Sequence, residues 1–159
     1  MQMYPRYRAL TIVAIVSTLA SLPASNSLAD DTIQQGQWRT KEEVLEMVNP
    51  LLAPEMVEKR KSTPMTVEFC VRSNSLETLL GVGKDKHGLC EGPIDIGMGK
   101  ISIQRTCATG LGKSIQKIDG TYTSTRIERI RDDTTDTPKG KIHMKTKAVI
   151  ERIGGECKP

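Results

Sequence analysis

Aromatic side chains are scarce in this chain: of 159 residues, one is Phe, one is Trp and three are Tyr. Two of the tyrosines, Tyr4 and Tyr7, fall in the first few residues, which leaves Trp38, Phe69 and Tyr122 for the rest. A single-stranded nucleic-acid binder needs stacking platforms and a marked basic excess, and neither is present. Histidine is equally sparse, with only His87 and His143. That excludes a histidine-rich metal centre, and it leaves acid–base chemistry at neutral pH with two candidates. The one uncharged apolar run, residues 9–22 (ALTIVAIVSTLASL), falls short of the roughly 18–20 residues that cross a bilayer.

That run is instead expected to be a signal peptide. Arg6 and Arg8 precede it, and Ser27-Leu28-Ala29 supplies small residues at the positions a signal peptidase reads. Cleavage after Ala29 predicts a soluble periplasmic protein of one domain, residues 30–159, with no transmembrane segment. Losing Arg6 and Arg8 lowers the formal charge from +4 to a nearly balanced +2.

What is present is a set of four cysteines, an even number in an exported chain, and this reads as disulfides. Three pairings are open on number alone. The stretch 90–107 (CEGPIDIGMGKISIQRTC) selects among them. Folded about Met98-Gly99, it sets Cys90 opposite Cys107, Ile94 opposite Ile103 and Ile96 opposite Ile101, all on one face of a two-residue alternation. The pattern predicts a β-hairpin with a cross-strand disulfide, and Cys70 must then take Cys157. His87-x-x-Cys90 has metal-ligand spacing, but cysteines committed to disulfides are lost to zinc and to nucleophilic catalysis. No cofactor and no metal site is expected.

Around the hairpin the chain reads mainly β. Gln37-Trp38-Arg39 predicts a short strand after a frayed lead-in. A helical insertion is expected over about 41–61. Its first part is a helix over 40–49, signalled by a Thr40/Glu43 capping box with Val44, Leu45 and Val48 on one face. Its second part is a helix in PEMVEKRK. Residues 65–71 predict a strand, and Ser73 or Ser75 a cap for one helical turn ending at Gly81 and Gly83. Strand 113–118 then meets Asp119-Gly120, the dipeptide of a tight hairpin turn, with a return strand to Ile130. Residues 131–140 (RDDTTDTPKG) read as a polar loop. Residues 141–152 alternate clearly, with Ile142, Met144, Thr146, Ala148 and Ile150 facing inward. The expected architecture is an antiparallel meander forming a small barrel or half-barrel, with the helices across one opening and two disulfides.

Taken together, Gly36-x-Trp38, the four cysteines, the hairpin between the second and third of them, and the terminal Gly154-Gly155-Glu156-Cys157 resemble a family of small exported Gram-negative proteins known only as a domain of unknown function. The resemblance covers residues 35–157 and implies fold and location. It carries no established chemistry.

The expected function is therefore a non-catalytic ligand-binding or envelope-associated module. Lys139, Lys141, Lys145 and Lys147, with Arg126, Arg129 and Arg131 beside them, make a candidate basic face for an anionic envelope lipid. An interior of Ile, Met and Thr with little aromatic filling makes a candidate cavity for a small apolar ligand. The alternative is a small hydrolase-like or metal-dependent enzyme using His87 or His143 beside a carboxylate. Asp132, Asp133 and Asp136 offer oxygen ligands to calcium, but at a spacing that matches no standard loop. Oligomeric state is not legible.

Overall fold

The computed structural model describes residues 32–82 and 89–157. Eight strands form one antiparallel sheet: β1 (Gly36–Val48), β2 (Met65–Val71), β3 (Cys90–Glu91), β4 (Ile94–Gly97), β5 (Lys100–Thr109), β6 (Gly112–Tyr122), β7 (Arg126–Thr137) and β8 (Gly140–Gly154). Their order is β2-β1-β8-β7-β6-β5-β3, with β4 pairing β5 beside β3. The two ends of the sheet do not pair with each other, so the meander is a half-barrel. Among the described residues there are also two short helices, α1 (Pro54–Ser62) and α2 (Leu76–Leu80).

The hairpin has the register its alternation calls for: Cys90 opposite Cys107, Ile94 opposite Ile103, Ile96 opposite Ile101. Met98 and Gly99 both carry positive φ, 50° and 75°, as a two-residue turn matching strand twist requires. Disulfides join Cys90 to Cys107 and Cys70 to Cys157.

Side chains alternate between an inner and an outer face. On the inner face Trp38, Ile101, Ile103, Ile118, Tyr122, Ile127, Ala148 and Ile150 are buried. They are covered by the chain that leaves β2 and crosses the half-barrel toward its far edge, which contributes Val71, Leu76, Leu80 and Val82 to the same core. Ser75 caps α2 by accepting from the Thr78 amide, and Gly81 closes it in a left-handed conformation. The lead-in is ordered rather than frayed where it is described: Ile33 lies within this core, and the Trp38 indole donates to the Gln34 carbonyl.

Three further sequence expectations are corrected. Residues 40–48 are not helical, and of the insertion expected over about 41–61 only α1 is a helix. Thr40, Glu42 and Val44 continue the inward phase of Trp38. Leu45 then has no register partner, a bulge that returns Met47 to the inner face. The apolar set that imitates a helical face is split by the strand: Val44 is buried, whereas Leu45 and Val48 are exposed. Secondly, Asp119-Gly120 is not a turn, because β6 runs through it to Tyr122 and the chain reverses at 123–125. A Cβ on Gly120 would stand 2.2 Å from the Glu128 carbonyl oxygen, so that glycine serves a close strand approach. Thirdly, residues 131–137 are strand; their polar side chains pair across the sheet, and the reversal comes at Pro138-Lys139.

Candidate functional site

The outer face carries the expected lysines but does not gather them. Lys145 lies 3.4 Å from Glu46 and stands opposite Asp132 in register. Lys141 lies 3.9 Å from Asp136, and Lys147 stands between Glu43 and Ile130. Lys139 sits in the β7–β8 turn, where its amide donates to the Thr137 hydroxyl. Of the arginines grouped with them, Arg126 faces outward and binds Glu128 and Glu151, whereas Arg129 and Arg131 point to the inner face. Cation alternates with anion across this surface.

His143 Nε2 lies 3.1 Å from Asp132 Oδ1 on the outer face, so one histidine does stand beside a carboxylate. Its cross-strand neighbours are Thr134 and Val48, and the pair is half-exposed. His87 lies outside the described residues. Asp132, Asp133 and Asp136 are divided among His143, Arg131 and Lys141, and among the described residues no group of three metal-capable side chains forms.

The inner face is apolar only over half its length. From there, three consecutive rows of side chains run across the strands and set core residues beside charged ones. Ile101, Gly120, Arg129, Ala148, Glu42 and Met65 form the first. Ile103, Ile118, Arg131, Thr146 and Val44 form the second, and Arg105, Gln116, Asp133, Met144 and Met47 the third. Arg105 is buried and fully engaged: Nε and Nη2 donate to the Gln116 side-chain oxygen at 3.2 and 2.7 Å, and Nη1 donates to the Val82 carbonyl at 3.2 Å. It ties the crossover to the sheet. Arg131 donates to Asp133 in the next row.

Arg129 is different. Small neighbours, Gly120 and Ala148, give its guanidinium room on the sheet floor, and its side chain is 12% exposed. Nη2 lies 3.7 Å from Glu42 Oε2, beyond hydrogen-bond range, and Nε and Nη1 are enclosed with no hydrogen-bond partner. Burial, and then the positive charge of Arg131, push its pKa below the usual arginine value, against the opposing pull of Glu42 and Asp133. Arginine starts so high that it remains a cation at neutral pH.

Over this end of the trough lies α1. Its Pro54 start, Glu55 in the first turn and Lys59, Arg60 and Lys61 in the last suit a short helix, yet none of its residues is buried. Arg60 reaches Glu42 at 3.8 Å, so one carboxylate is shared between Arg60 on the helix and Arg129 on the sheet. Between helix and sheet runs a groove of about 570 Å³ lined by Met47, Leu52, Met56, Lys59, Arg60 and Thr63. Met65 and Val67 at the edge of the same face are exposed. The sequence expectation groups Arg129 and Arg131 with Arg126 on one basic surface. The signal that separates them is parity along β7: Ile127, Arg129, Arg131 and Asp133 share one phase, and Arg126 has the other.

Among the described residues no helix is long and apolar enough to cross a membrane. A family model described as Protein of unknown function (DUF3617) matches residues 33–157, nearly the whole of the described chain. No curated protein and no solved structure gives a significant match.

Proposed function

The chain belongs to the family described as Protein of unknown function (DUF3617), and from that premise we propose that it is a non-catalytic ligand-binding module of the periplasm. Its site is the groove beneath α1, and its ligand is a small amphiphile whose apolar part lies against Met47, Leu52 and Met56. The observation that carries this reading is the pairing of a methionine- and leucine-lined groove with Lys59 and Arg60 on its rim. Thioether side chains adapt to apolar ligands of varied shape, and the cations complement an acidic end. A helix with no buried residue can shift without disturbing the core. The signal peptide expected over residues 1–29 supports the location. The His143–Asp132 pair stands on the opposite face of the sheet and contributes nothing to this groove.

Native mass spectrometry of protein purified from the periplasmic fraction tests the proposal. The expected species begins at Asp30 and carries, or takes up on addition, a medium-chain alkyl amphiphile. Met56→Glu, which places a charge in the groove at an exposed helix position, is expected to abolish uptake with the fold unchanged. Full-length protein in the inner membrane would overturn the location, and uptake unaffected by Met56→Glu would overturn the groove.

A further inference from the structure

We infer that the ligand of this groove bears an anionic head group, a carboxylate or phosphate, and that Arg129 holds it, with Glu42 standing in when the site is empty. The inference rests on the groove reading above and adds the chemistry of the head group. Its first support is a contrast within one sheet face. Arg105 shows how this fold treats a structural buried arginine, with all three of its nitrogens donating hydrogen bonds. Arg129, two strands away, has two enclosed nitrogens without partners. Enclosed donors left unmet are costly, and such exceptions concentrate where a further group binds.

The second support is charge. Arg60, Arg129 and Arg131 face Glu42 and Asp133, and Asp133 is taken by Arg131. Glu42 is left to serve two guanidiniums at 3.7 and 3.8 Å, hydrogen-bonding neither. One more anion completes the set. The third is continuity: Arg60 lines the groove and shares Glu42 with Arg129, so one carboxylate links the groove rim to the arginine on the sheet. A head group that displaces Glu42 supplies oxygen acceptors to Arg129 at a site of low dielectric, where charge-assisted hydrogen bonds are strongest. Gly120 and Ala148 are its cross-strand neighbours, and neither carries a polar side chain to serve the guanidinium.

The test is calorimetric titration of the intact mature protein with dodecanoate, dodecanol and inorganic phosphate, using wild type, Arg129→Gln, Arg129→Lys and Glu42→Gln. Wild type is expected to bind dodecanoate roughly tenfold or more tighter than dodecanol, the margin that charge-assisted hydrogen bonds supply. Arg129→Gln weakens dodecanoate binding more than dodecanol binding and so removes that margin, and Arg129→Lys restores part of it. Glu42→Gln tightens dodecanoate binding, an effect of opposite sign that misfolding cannot produce. Equal binding of acid and alcohol by wild type would overturn the head-group inference and leave the groove reading standing. No binding of either chain would overturn the groove; phosphate binding lost in Arg129→Gln would then still support the anion site, and its absence would overturn that as well.

Discussion

Gly120 holds a position that no other residue fits. A Cβ there would meet the Glu128 carbonyl oxygen at 2.2 Å and the Arg129 Cβ at 3.1 Å, and backbone contacts of that kind are not relieved by a rotamer change. Gly120→Ala is expected to lower stability by about 1–3 kcal/mol, as small-to-large changes in packed sites do. A urea melt with an unchanged midpoint would show that the strands part easily at this row. The same residue shows why single positions were read unevenly from sequence. The cysteines declared their pairing because Cys90 and Cys107 fall at matched distances from the turn. Asp119-Gly120 misled because a glycine needed for close approach and a glycine needed for a turn are the same letter. Arg129 and Glu42 were invisible as a pair, since β1 and β7 meet only through β8, far along the chain.

At the scale of elements, the hairpin and β8 were legible because strict alternation repeats in both. The first strand was not, because Val44, Leu45 and Val48 fall at helical intervals in the sequence while the bulge at Leu45 interrupts the two-residue alternation, and only Val44 of the three is buried. Residues 131–137 hid in the same way. Thr, Asp and Arg there satisfy one another across β6, β7 and β8, with the Thr135 hydroxyl donating to Ser114 and Arg131 to Asp133, so a polar stretch forms strand without an apolar stripe. The helix α1 was anticipated from Pro54 and its charge order, but its lack of any buried residue was not. Its amides are expected to exchange with solvent far faster than those of β8, which is paired on both sides. Hydrogen exchange followed by mass spectrometry measures this; protection of α1 equal to that of β8 would mean the helix is part of the core and cannot open the groove.

For the molecule as a whole, a half-barrel with few aromatic residues depends on its cross-links. The Cys70–Cys157 bond spans 87 residues and the Cys90–Cys107 bond spans 17. The chain-entropy account assigns them about 4.6 and 3.1 kcal/mol respectively. The double variant Cys70→Ala/Cys157→Ala should therefore lose more stability than Cys90→Ala/Cys107→Ala, and chemical denaturation of the two side by side checks the order. The reverse order would place the weight on local strain rather than on loop closure. A different consequence follows from the pairing of β1 with β8. These strands stand side by side in the sheet and at opposite ends of the sequence, and β1 also carries β2. As the chain appears from its N-terminus, strands β5 to β8 can each join the one before on arrival. The first strand emerges earliest yet must wait, unpaired along that edge, until the last has been delivered. The edge of β1 that faces β8 therefore stays open until the last strand arrives, and a pairing so distant in sequence is of the kind that slows folding.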